Sequence, residues 1–227
     1  MHPKTQLRAI FVATWALLTF ACFFVVLPSV GKDPSFSLAL ATEWPASTKL
    51  ARGSTSGHLV VFVHPYCPCT RATLWNLDGA VDSTNLTVSI VQLRTESLAA
   101  VHYPISSIAS TADKNSWNLI LDNEGVETDN FGASTSGECM LFNSKGSLLF
   151  AGGVTASRGH TGNNQGLDTL KDLIERINSK SCDHNSSQDI VQSDGGTQWA
   201  QFPTFGCPLL TEPGCSSQLS TCQQHAN

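Results

Sequence analysis

Apolar residues along this 227-residue chain fall into three regimes. The run from Ala9 to Leu27 carries no charge and is almost wholly apolar. It is preceded by His2, Lys4 and Arg8 and closed by Pro28. Between about residues 58 and 180, short apolar runs alternate with helical stripes. His58-Leu-Val-Val-Phe-Val63 is a continuous apolar run, the pattern of a strand buried on both faces. Leu74, Leu77 and Val81 then recur at helical spacing over Thr70–Val81. Leu86–Ile90 alternates as a second strand, some helix is expected within 95–116, and Trp117–Leu121 reads as a short strand ended by Asp122-Asn-Glu-Gly125. Glu138–Phe142 and Ser147–Phe150 flank the turn Asn143-Ser-Lys-Gly146 as a hairpin. Leu167, Leu170, Leu173, Ile174 and Ile177 share one face of a last helix ending near Asn178. Beyond Ser181 the periodic signal fades into Ser, Gln, Asp, Asn and Gly.

This order predicts an α/β fold, an open mixed sheet with helices on both faces. It divides the chain into residues 1–31 (cytoplasmic end and anchor), 32–57 (a Ser/Thr/Ala-rich tether), 58–180 (the α/β domain) and 181–227 (an irregular, Cys-containing tail). The first apolar run has the length of a transmembrane helix and exceeds that of a cleavable leader. A small-residue cleavage pattern, Ala39-Leu-Ala41, lies well beyond it, so a retained anchor is expected. Basic residues on its N-terminal side place that end in the cytoplasm and the main domain in the periplasm or outside the cell, where disulfides persist.

Charged residues make up 14% of the chain and the net charge is −5. With no basic cluster, nucleic-acid binding is excluded as a leading function. The eight cysteines change the picture more. Cys22 lies in the apolar run and Cys139 in a predicted strand. Cys182, Cys207, Cys215 and Cys222 lie in the tail, where Cys207 is expected to join a tail disulfide rather than serve as a resolving thiol. Cys67 and Cys69 stand in Val61-Phe-Val-His-Pro-Tyr-Cys-Pro-Cys-Thr-Arg71, a strand, a sharp turn and a helix start. Pro68 suits the first helical position, which puts Cys67 at the cap, where unsatisfied amides and the helix dipole favour a thiolate. A thiolate there is a nucleophile toward disulfides.

Phe62–Arg71 resembles the strand, aromatic residue and active-site cysteine of the thioredoxin-like superfamily, with Tyr66 in place of the usual Trp. Gly137–Gly153 resembles its late strand pair, and the likeness spans about residues 55–180. Within that superfamily the chain is most similar to membrane-anchored bacterial RedB-like proteins. They share a Cys-Pro-Cys-Thr-Arg core, here Cys67–Arg71, and a loop Gly-Gly-x-Thr-x-x-Arg-Gly-His, here Gly152–His160. The resemblance implies a thioredoxin-like fold and a redox role. Two positions depart from the usual pattern. One residue, not two, separates the cysteines, so the usual second cysteine aligns with Thr70. Gly137, after Ser136, stands where a cis-proline is usual.

The resulting expectation is a membrane-tethered thiol–disulfide oxidoreductase acting on protein or small-molecule thiols and disulfides, without a cofactor. Its candidate catalytic residues are Cys67, Cys69, Thr70, Arg158 and His160. Arg158 would lower a thiol pKa and His160 would shuttle a proton. The alternative is copper binding or delivery by Cys67, Cys69 and His160, a soft donor set suited to that metal. A Cys67–Cys69 bridge would need a distorted helical turn, because residues i and i+2 diverge by about 200°. His64 is expected as a strand-end residue, and the direction of Glu138 is left open.

Overall fold

The computed structural model describes residue 8 and residues 11–20, 34–37, 39–53, 55–81, 85–95, 106–180 and 199–209. The chain divides into two units, Met1–Asp33 and Pro34–Asn227. In the first, residues 11–20 are helical, and Phe11, Val12, Trp15, Leu17, Leu18 and Phe20 are exposed. The rest of the expected span, residues 9, 10 and 21–27, lies outside the described residues, as do Cys22, Cys182, Cys215 and Cys222. Among the described residues, no helix is long and apolar enough to cross a membrane.

The second unit is built on β1 (Gly57–Val63), α1 (Pro68–Asp78), β2 (Leu86–Arg94), α2 (Ser106–Lys114), β3 (Asn118–Asn123), α3 (Val126–Phe131), β4 (Glu138–Asn143), β5 (Leu148–Gly153), α4 (Gln165–Lys180) and β6 (Ala200–Gln201). The strands form one sheet in the order β3-β2-β1-β4-β5-β6. β1, β2 and β3 are parallel, β4 runs antiparallel to β1 and β5, and β6 is parallel to β5.

β1 is central, and its continuous apolar run reflects burial on both faces. Leu59, Val61 and Val63 enter a core with Leu74, Leu77, Ile108, Leu170 and Ile174, contributed by α1, α2 and α4. Val60 and Phe62 face the other way, with Phe131, Met140, Phe142, Leu50 and Leu209. On that second face α3 is joined by non-helical segments. Trp44, in the stretch read as a tether, sits edge-on to Phe131 and Phe142 at 5.3 Å from each ring, and Leu50 is buried. Ser35 and Thr204 exchange backbone hydrogen bonds. Residues 199–209, within the stretch read as irregular tail, add β6 to the sheet edge, and Phe202 stacks on Phe150 at 5.5 Å. The glycines of the Gly152-Gly153 pair make room for this segment. A Cβ on Gly152 would lie 2.2 Å from the Phe202 carbonyl oxygen.

α3 was absent from the sequence pattern. Its start is held by Asp122, whose carboxylate accepts from the amides of Glu127 (2.8 Å) and Thr128 (2.9 Å) and from the Thr128 hydroxyl. Left-handed Gly125 and Gly132 bound the helix.

Candidate active site

The chain leaves the C-terminal end of β1 at Val63 and turns through His64-Pro-Tyr into α1. The Cys67 amide donates to the His64 carbonyl at 3.1 Å, and the Thr70 hydroxyl donates to the same carbonyl at 2.8 Å. Pro68 occupies the first helical position and Cys67 the N-cap, in an extended conformation. That fixes the sulfur beside the open first turn of α1. It makes no full capping hydrogen bond with the helix.

Three sulfurs from two distant parts of the sequence meet here. Cys67, Cys69 and Cys207 form a small cluster, each under a tenth exposed. Cys67, Cys69, Cys207 and the separate Cys139 are thiols in this structure. Cys207 does not lie in a tail disulfide. Its amide donates to Cys67 Sγ at 3.3 Å across 140 residues of sequence. Its carbonyl accepts from the Ser136 amide at 2.8 Å, and the Leu209 amide donates to Ser134 O at 2.9 Å. Thr135 and Pro208 thus pair as an antiparallel bridge. Residues 204–209 run as an extended strap along the turn before β4, with Cys207 over Cys67.

The Cys67 thiol is held well below its ordinary pKa. The largest cause is a hydrogen bond from the Cys207 side chain, followed by one from Cys69. Burial opposes them, and the Cys207 and Cys69 amides add to the lowering. Cys69 is pushed the other way by its hydrogen bond to Cys67, by burial and by the charge on Cys67. One negative charge on Cys67, with two thiols donating to it, is the arrangement these interactions favour. His64, half-buried beside the turn, is kept low by burial, against the pull of the Cys67 charge. Its Nδ1 accepts from the Tyr66 amide.

The Gly-rich loop after β5 closes the other side. Arg158 Nη2 donates to Cys207 Sγ at 3.4 Å, and the Gly159 backbone donates to Cys69. Asn76 ties this loop to α1, donating to Val154 O (2.7 Å) and accepting from the Gly162 amide (2.9 Å). Asn164 accepts from the Leu167 amide at 3.0 Å and so caps α4.

The expected site residues therefore have different placements. Cys67 and Cys69 are together, and Arg158 reaches them through Cys207. Thr70 is buried behind them, bonded to the His64 carbonyl and the Ser136 hydroxyl. His160 is exposed, its amide donating to Ser157 O. Among the described residues, no group of three or more His, Cys, Asp or Glu side chains is arranged to hold a metal ion. Cys139 is fully buried in β4 and its thiol is pushed far up by burial and by Glu138. Glu138 points away from the thiols, its carboxylate accepting from Ser37 Oγ (2.7 Å) and the Ser134 amide (3.0 Å).

Gly137, in the place of the usual proline, is required where it stands. Its φ is +94°, and a Cβ would lie 2.8 Å from Thr73 Oγ1. Its amide bonds the Phe62 carbonyl at the end of β1. Sequence reasoning missed Ser136 and the place of Cys207. The one signal for the latter was Phe205-Gly-Cys-Pro-Leu209, an apolar island in a polar tail.

Neither family models nor curated proteins gave a match to this chain. Solved structures did. A hypothetical protein of Sinorhizobium meliloti, 16% identical, superposes with a TM-score of 0.56 over 81% of this chain and all of its own. An uncharacterised conserved protein of Geobacillus kaustophilus, 10% identical, gives 0.53 over 80% of this chain and 93% of its own. A thioredoxin-like protein of Porphyromonas gingivalis, 17% identical, overlaps less, at 0.39 over 68% of this chain and 97% of its own. At these identities the likeness is one of fold. A βαβ unit, a connection, an antiparallel hairpin and a last helix surround one mixed sheet. The fold is thioredoxin-like. In this thioredoxin-like chain the connection carries an extra strand and helix, β3 and α3, and the far edge gains β6.

Proposed function

We propose that this protein is a membrane-tethered, extracytoplasmic thiol–disulfide oxidoreductase whose nucleophile is Cys67 of the Cys-Pro-Cys motif. The observation that carries the reading is the Cys67 sulfur at the start of α1, hydrogen-bonded by the Cys207 amide and by two neighbouring thiols. A thiolate so stabilised attacks one sulfur of a disulfide in a protein or small molecule. A Cys67–substrate disulfide forms, the substrate S–S bond breaks, and the departing thiolate takes up a proton. A second protein thiol then attacks Cys67 Sγ and releases the other half, so two protein thiols are oxidised and one disulfide is reduced. The RedB-like motifs at Cys67–Arg71 and Gly152–His160 agree with this reading. The exposed apolar side chains of residues 11–20, after Lys4 and Arg8, support the tether and its orientation.

The test is reduction of insulin disulfides by the full chain with a small dithiol as the terminal reductant. Cys67→Ser should lower the rate at least a hundredfold without loss of fold. A rate unchanged in that variant overturns the assignment.

A further inference from the structure

Resting on that reading, we propose that Cys207 is the second redox thiol of the site. It resolves the mixed disulfide on Cys67, and the oxidised protein carries a Cys67–Cys207 bond with Cys69 still a thiol.

The geometry favours Cys207 over the nearer cysteine in sequence. Its amide already lies on Cys67 Sγ at 3.3 Å. The strap that carries it is fixed on both sides, by Ser136 to its carbonyl and by Leu209 to Ser134. A Cβ on Gly206 would lie 1.9 Å from the Ser136 carbonyl oxygen, so only glycine lets the strap come this close. Cys207 therefore faces Cys67 from a segment outside α1, so a bond between them does not run within the first helical turn. Cys69 shares the first turn of α1 with Cys67, where Pro68 fixes the intervening φ. Bonding the two sulfurs would distort the turn that creates the thiolate.

The charges point the same way. Before reaction the negative charge sits on Cys67, and both neighbours donate to it. Once Cys67 is bonded to substrate, the attacking thiol must ionise. Arg158 Nη2 is in hydrogen-bond contact with Cys207 Sγ, so charge building there meets a guanidinium. Arg158 acts on Cys69 through space, and that sulfur is fully buried.

The steps balance. The Cys207 thiol gives its proton to solvent, and its thiolate attacks Cys67 Sγ. The Cys67–substrate bond breaks, the Cys67–Cys207 bond forms, and the released substrate thiolate is protonated. Two electrons pass from Cys67 and Cys207 to the substrate disulfide. An external dithiol returns them.

The experiment adds glutathione disulfide to the reduced full chain, quenches with acid and maps the products by peptide mass. The wild type should give Cys67–Cys207, and Cys69→Ser should give the same bond. Cys207→Ser should accumulate the Cys67–glutathione adduct, with a lifetime at least tenfold longer. Arg158→Gln keeps both thiols, so it serves even if Cys207→Ser misfolds. It should lengthen the adduct lifetime severalfold at neutral pH, with the difference shrinking as pH rises and Cys207 ionises unaided. A Cys67–Cys69 product, adduct accumulation in Cys69→Ser but not Cys207→Ser, or bonding of Cys67 to another tail cysteine overturns the proposal and leaves the oxidoreductase reading standing. No adduct on Cys67 in any folded form, with normal labelling after denaturation, overturns both.

Discussion

Gly206 packs the strap that carries Cys207 against Ser136, and its replacement by alanine is a quantitative test of the strap. The new Cβ would lie 1.9 Å from the Ser136 carbonyl oxygen and 2.9 Å from its carbon, where ordinary contact begins near 3.4 Å. Both atoms are backbone, so no rotamer change relieves the clash and residues 204–209 must retreat by about 1.5 Å. That breaks the Ser136–Cys207 and Leu209–Ser134 hydrogen bonds and the Cys207 contact to Cys67. At about 1 kcal/mol for each backbone bond and somewhat more for one to a thiolate, local opening becomes easier by about 3 kcal/mol. Cys67 is only 4% exposed in the closed form, so alkylation depends on opening, and its rate should rise by roughly a hundredfold. The assay is iodoacetamide labelling of Cys67 at about pH 8.5, followed by mass spectrometry. Gly79→Ala is the control, because a Cβ there meets nothing within 4 Å. Equal labelling rates in folded wild type and Gly206→Ala would show that the strap does not limit access to Cys67.

Two further outcomes follow from buried polar groups. His58 is almost fully buried beside Trp44, and burial lowers its pKa from 6.5 to about 4. Its folded pKa is depressed, so the contribution is complete above pH 6.5 and is lost as pH falls toward 4, by up to about 3 kcal/mol. The unfolding free energy of the wild type should therefore fall relative to that of His58→Leu in that window as pH falls, and parallel pH profiles would contradict this. Asn76→Ala should remove the acceptor of the Gly162 amide and one of two donors to the Val154 carbonyl, which keeps Asn164 Nδ2 at 2.8 Å, and cost about 1 kcal/mol. Exchange of the Gly162 amide should accelerate, and unchanged protection would contradict the clamp.

Much of the frame was readable because burial left a pattern in the sequence. β1 and the hairpin carry short apolar runs and α4 a helical stripe, and their bounds differ from expectation by a few residues at most at either end. α3 carries neither. Its Glu127 and Thr128 are polar yet buried, and the helix is set by Asp122 and two left-handed glycines. β4 is buried along nearly its whole length, so alternation gave no direction for Glu138. Cys67 was legible because a strand, a proline and a helix start are local features. Cys207 was not, because its contact spans 140 residues and its segment is placed by glycine clearances at Gly152 and Gly206. The source of the thiolate changed with it. Sequence pointed to helix amides, whereas the donors in the structure are led by the Cys207 side chain.

A pH titration of the Cys67 alkylation rate in the full chain, read by peptide mass, reports the ionisation of that sulfur. Cys67 should remain a thiolate well into the acid range, far below the ordinary thiol value of 9.0. Cys207→Ala should raise its midpoint by at least about one unit. A midpoint near 9.0 in the folded wild type, unmoved by that substitution, would contradict both.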